Sequence, residues 1–181
     1  RCFRYNGEGL NLSNMAQFIE PTLICGRPIN DDYDPLLAVQ NGLISNDLSD
    51  IYQYIGKRIN PTDYIYLKPV INGDTPDIIV LRPNTGILII KLFEEDINNY
   101  EFCKNEKNQV DYNSITDGTI AQVSPIAIVQ AYQKNLIQLH IEDMLGKTLT
   151  NSSYWSIIKT VVYFSKNTTP EIKRKFREDK I

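Results

Sequence analysis

This chain has almost no histidine, little cysteine and no long apolar run. The single histidine, His140, leaves one candidate for any chemistry that needs an imidazole base and excludes a metal centre built from several histidines. The three cysteines, Cys2, Cys25 and Cys103, are odd in number and scattered, without metal-ligand spacing. They read as reduced thiols of a cytoplasmic protein rather than as a disulfide framework. No stretch approaches the roughly 18 apolar residues of a membrane span, and the first residues lack the basic-then-apolar order of a signal peptide. No membrane partner is expected. A strong charge of either sign is also missing: a net charge of -3 gives no global attraction to nucleic acid and leaves only local patches to provide one.

What is there is ordinary globular material. At 181 residues, 42% apolar and 23% charged, the chain suits one sizeable domain with a small appendage. Its centre is the stretch from Pro76 to Phe93. Two apolar runs, Ile78 to Leu81 and Ile87 to Leu92, flank Arg82-Pro83-Asn84-Thr85-Gly86, the pattern of a β-hairpin with a polar loop. Near-continuous apolar strands are buried on both faces, so the hairpin belongs in the middle of a helix-covered sheet. Asp77 and Lys91 stand at its outer ends, an acid and a base that the hairpin brings together.

Residues 1–45 are broken by glycine and proline and read as an extended arm with at most one or two short strands. The Asp31, Asp32 and Asp34 cluster lacks the glycine and distal glutamate of a calcium loop and reads as a solvated turn. From Asn46 to Ile59 the spacing of Leu48, Ile51, Tyr52 and Ile55 predicts an amphipathic helix capped by Ser45, Asn46 or Asp47 and ended by Asn60-Pro61. Tyr64 to Val70 reads as a strand and Asn72-Gly73-Asp74 as a turn. Tyr100-Glu101-Phe102 and Gln109 to Tyr112 suggest a small outer hairpin. Ser124-Pro125 begins a long helix whose inner stripe runs through Ile126, Val129, Tyr132, Gln133, Leu136 and Ile137 to His140, with Gly146 as a stop or bend. Ile157 to Phe164 reads as a buried strand. Thr168-Thr169-Pro170-Glu171 starts a last helix, within which the sequence stops, so a further domain is expected beyond Ile181.

The run from Pro76 to Ile90, the Ser124 to Tyr132 segment and Val161 to Phe164 together resemble the nuclease-related domain (NERD) family. That family belongs to the PD-(D/E)xK restriction-endonuclease-like superfamily and is often fused to DNA helicases. The resemblance covers the chain from Asn46 onward. It implies an α/β fold with a restriction-endonuclease-like core, a central mixed β-sheet flanked by helices, in residues 46–181. It also implies DNA as partner, a fused or associated helicase, and magnesium held by carboxylates beside a water-orienting lysine.

Carried over by position, the first acid of that motif is Asp77. The second half departs from the pattern: Lys91 stands where a glutamate is expected and Phe93 where the lysine is expected. The helix glutamate has only Asp47 or Asp50 as counterparts. Glu94 or Glu95 could supply the missing metal ligand from the strand end, with Asp77 as the other ligand and Lys91 as the cation. Gln130 matches the glutamine of the family's Pro-x-x-x-x-Gln helix and joins Asp77 and Lys91 as a candidate site residue. An ammonium about 4 Å from a carboxylate attracts it by roughly 4 kcal/mol at an effective dielectric near 20, which would compete with metal capture.

His140 reads as charge placement near a helix C-terminus. Lys173, Arg174, Lys175 and Arg177 form the one dense basic patch, a candidate for phosphate contacts diluted by Glu171, Glu178 and Asp179. Three functions follow: a nuclease-like domain with a degenerate site that binds DNA or a protein, an active magnesium-dependent nuclease with a rearranged site, and a structural module without nucleic acid.

Overall fold

The computed structural model describes residues 3–4, 23–25, 39–71, 73–115, 122–142 and 144–181. The acidic cluster at residues 31–34, and the remainder of the arm, lie outside these. Of the arm, strand β1 (Phe3–Arg4), strand β2 (Leu23–Cys25) and residues 39–45 are described.

Helix α1 (Asn46–Gly56) begins where Ser45, in extended backbone, accepts the Leu48 N–H through its hydroxyl at 3.2 Å. It stops a turn earlier than its periodicity predicts, with Lys57 closing the last turn. Three strands then meander: β3 (Tyr64–Leu67), β4 (Ile78–Arg82) and β5 (Gly86–Phe93). β3 is shorter than expected because Lys68 turns out of the ladder with φ +48° and Pro69 has no N–H to continue it. The β4–β5 hairpin closes through Pro83-Asn84-Thr85, with Asn84 in left-handed backbone and Arg82 paired with Gly86.

The outer hairpin is β6 (Tyr100–Lys104) with β7 (Val110–Ser114), joined by a third short strand, β8 (Gln122–Val123). Helix α2 (Pro125–Asn135) has Ser124 as its cap and proline in its first turn. The long helix expected through Gly146 is interrupted. A π-helical turn covers Leu136–His140, strand β9 (Ile141–Glu142) pairs with β1, and helix α3 (Met144–Thr150) contains Gly146 rather than ending at it. Leu136, Ile137, Ile141 and Met144 all reach the core across this break. The His140 side chain is not among the described ones. Strand β10 (Ile158–Phe164) and helix α4 (Thr169–Glu178) complete the fold. α4 starts at the Thr168 to Glu171 segment as expected, with Thr168 and Glu171 forming a capping box, and it is closed at Asp179 and Lys180.

The main sheet has the order β10-β5-β4-β3-β2, with β10 parallel to β5 and every other pair antiparallel. It is a mixed sheet between two helical layers. On one face Leu48 and Tyr52 of α1 pack on Ile65, Ile78, Val80 and Ile90. On the other, Val129 of α2 and Met144 of α3 pack with Tyr66, Ile79, Leu81, Ile89 and Ile158. The hairpin is thus central and covered on both faces, as its apolar runs require. β10 differs from expectation. It is the sheet edge, and Lys159, Val161 and Tyr163 alternate outward along it. A third cluster of Phe93, Ile97, Phe102, Val110 and Phe164 joins the three-stranded sheet to α4.

Candidate functional site

Antiparallel register brings three charged residues into one row. The registers end at Leu67–Ile78 and Ile78–Ile90, and one residue further along each strand pair Lys68 faces Asp77 and Asp77 faces Lys91. The Lys68 N–H donates to the Asp77 carbonyl at 2.8 Å, so the backbone ladder reaches this row. Asp77 is sandwiched between two lysines on adjacent strands.

The side chains complete the arrangement. The Lys68 ammonium donates to Asp77 Oδ1. Lys91 Nζ lies 3.0 Å from Oδ2, which also accepts the Leu92 N–H at 2.7 Å. The carboxylate is buried, with 3% of its side chain exposed, whereas Lys91 is 23% and Lys68 48% exposed. Burial pushes the carboxyl's pKa up. The Lys68 hydrogen bond, the Leu92 N–H and the charges of Lys91 and Lys68 outweigh it and hold Asp77 below the usual carboxylate value. Lys68 was not singled out in the sequence. The Asn72-Gly73-Asp74 turn pattern in the sequence carried the signal: the chain folds back between Ile71 and Asp74, which exchange backbone hydrogen bonds at 2.9 Å, and this sets Lys68 opposite Asp77.

Phe93 takes no part in this row. Its ring packs edge-on against Tyr100, Tyr112 and Phe164 at centroid distances of 5.6, 5.9 and 5.5 Å. Glu94 and Glu95 are exposed and do not join Asp77: the charge of Glu94 acts on Lys166, and that of Glu95 on Tyr112. Asp47, at the start of α1, belongs to a separate cluster. Its Oδ2 accepts from Ser165 at 2.6 Å and from Lys166 at 2.7 Å, and the Lys166 bond, followed by that of Ser165, lowers its pKa against burial.

Gln130 is exposed on α2 and lines a surface groove of about 460 Å³ with Gln109, Lys134 and Gln138, away from the Asp77 row. The α2 amide that reaches a strand carbonyl is that of Gln133, donating to Ile158 O at 2.6 Å. The basic patch also divides. Lys175 turns inward and meets Asp179 at 3.3 Å, both largely buried. Lys173, Arg174 and Arg177 share the exposed face of α4, beside a groove of about 640 Å³ that also includes Thr169, Pro170 and Glu178.

A second buried carboxylate, Asp63, accepts a two-pronged bond from Arg82 (Nε at 3.0 Å, Nη2 at 2.7 Å) and the Asn60 N–H at 2.9 Å. The Arg82 bond, against burial, lowers its pKa. It pins the hairpin loop to the start of β3. Because Asp63 and Asp77 are both depressed on folding, the stability they confer is complete above the unfolded value, about 3.9, and is lost as pH falls through and below it. Urea midpoints measured from pH 7 to pH 3 should hold steady and then drop below about pH 4. Asp63→Asn and Asp77→Asn should each flatten that drop. Parallel wild-type and variant curves would overturn the assignment.

Among the described residues no three acidic, histidine or cysteine side chains converge as a metal ion would require. No helix among them is long and apolar enough to cross a membrane. No protein-family model, curated protein or solved structure matches this chain.

Proposed function

We propose that this chain is a restriction-endonuclease-like domain, related to the NERD family, whose catalytic site is degenerate and whose role is to hold DNA within a helicase-associated DNA-processing assembly. The observation that carries the reading is the Asp77 carboxylate. Both of its oxygens are engaged by the Lys68 and Lys91 ammonium groups and the Leu92 N–H. A divalent ion needs free carboxylate lone pairs, and here the single acid of the row has both oxygens taken by N–H donors, with no second carboxylate among the described residues beside it. The residues present do not fit magnesium. A central mixed sheet with helices on both faces agrees with the core that the sequence resemblance implies.

DNA contact is assigned to the exposed face of α4. Lys173, Arg174 and Arg177 project from one side of a helix whose other side is anchored by Ile172 and Phe176 in the aromatic cluster. Three cations spaced along a helix can follow a phosphate backbone, and their contribution falls with salt. The test uses labelled single- and double-stranded DNA with magnesium or manganese, beside Asp77→Ala. Salt-sensitive binding without cleavage is expected. Replacing Lys173, Arg174 and Arg177 together by Gln should weaken binding at least tenfold at low salt and flatten its salt dependence. Cleavage that Asp77→Ala abolishes would instead favour the active, rearranged nuclease with Glu94 as the second ligand. A complete lack of DNA binding would favour a structural module.

A further inference from the structure

We propose that Lys68 and Lys91 form a phosphate-binding site, with the two ammonium groups occupying the electrostatic place that a divalent ion takes in a nuclease. The source of the phosphate rests on the DNA-binding reading above; the site itself rests on the geometry of the row. One buried carboxylate is flanked by two lysines, so the cluster carries one positive charge in excess. The carboxylate is sealed from solvent while both ammonium groups retain solvent access, Lys68 the more so. An arriving ligand therefore meets N–H donors and not the acid. Each ammonium has three donors and Asp77 engages part of each set, leaving the others for an anion.

The backbone favours the same assignment. Lys68 holds a φ of +48°, a conformation uncommon for a residue with a side chain, directly after the last paired residue of β3. Its ammonium is thereby fixed on the oxygen of Asp77 that Lys91 does not use, so the two cations sit on opposite oxygens of one carboxylate. Asp77 acts as a positioning residue: it orders two flexible side chains in advance, removing part of the entropy cost of closing on a phosphate group. Two lysines at the end of a rigid sheet suit a tetrahedral phosphate, approached from two sides as a pair of point charges.

The site is tested on the wild-type protein first. Amide resonances are followed during titration with inorganic phosphate, and separately with a short DNA duplex. The Leu92 and Lys68 N–H signals, both bonded to Asp77, should shift saturably with either. Lys68→Gln, which leaves Lys91 and the Leu92 N–H on Asp77, should weaken phosphate binding about tenfold. It should also reduce the slope of log affinity for DNA against log salt by about 0.9, the amount expected for one lost phosphate contact. Shifts with phosphate but none with DNA would uphold the site and make its ligand a free phosphate compound, leaving the DNA reading to the binding test at α4. Salt-sensitive DNA binding with both amides unmoved by either ligand would overturn the site and leave the DNA reading intact. Because the resonance test needs no variant, a Lys68→Gln protein that failed to fold would not rescue the inference.

Discussion

Gly86→Ala should cost about 3–5 kcal/mol, the sum of backbone strain and overpacking. Gly86 opens β5 with a φ of +150°, which side-chain-bearing residues rarely adopt, and a Cβ built on it would fall on the carbonyl oxygen of Ile157. That oxygen belongs to backbone at the start of β10, and β10 runs parallel to β5 from the Ile158–Ile87 pair onward. The only relief is to push the strands apart and lose ladder bonds along the pairing with the most extensive register in the sheet. A protein of this size has a total stability of about 5–15 kcal/mol, so a large share would be gone. Urea unfolding should show a much lower midpoint with an unchanged slope. Gly73→Ala is the control. Gly73 also has positive φ, +94°, but nothing lies within 4 Å of its added Cβ, and it should lose only about 1 kcal/mol. Equal losses at the two positions would show that strain alone matters and that Ile157 gives way.

Asp77→Ala should destabilise by about 2–4 kcal/mol. Removing one partner of a buried ion pair typically costs about 3–5 kcal/mol, and the solvent access of Lys68 reduces that here. Two ammonium groups would be left facing each other at the sheet end, and the Leu92 N–H would lose its acceptor. Asp77→Asn keeps an oxygen for that N–H and should lose roughly half as much. Denaturant midpoints at pH 7 separate the cases. An Asp77→Ala protein as stable as wild type would mean that the two lysines leave for solvent at no cost and that the row contributes nothing to the fold.

The central hairpin was legible in the sequence because two β-branched apolar runs around a Pro/Gly loop have few alternatives, and both its burial and its Asp77–Lys91 pairing followed. Helix α1 and the start of α4 were readable for a similar reason: local side-chain chemistry fixes them. The break after Asn135 was not. Leu136, Ile137 and Ile141 continue a helical stripe in the sequence, and only the position of the core beneath them selects a π-turn and a strand. The outward alternation of β10 was hidden as well, since Val161 and Tyr163 look like core residues until the strand is known to be an edge. At the site, sequence reasoning found the acid and one base and missed Lys68, which sits on a strand whose register depends on the turn after it. Gln130 was singled out by motif position, and Gln133 entered only as part of the inner stripe. The burial of Ile158 beneath α2 selects Gln133 for the strand carbonyl.

The Lys68–Asp77–Lys91 row also decides what the molecule depends on. A carboxylate that borrows its counter-charge from a dissolved ion stabilises the fold only to the extent that the ion is supplied, and a chelator removes that contribution. Here the counter-charge is tethered to neighbouring strands, at a fixed effective concentration that dilution and chelation cannot lower. The sheet end is thereby uncoupled from the supply of divalent ions, and its integrity is written into the chain itself.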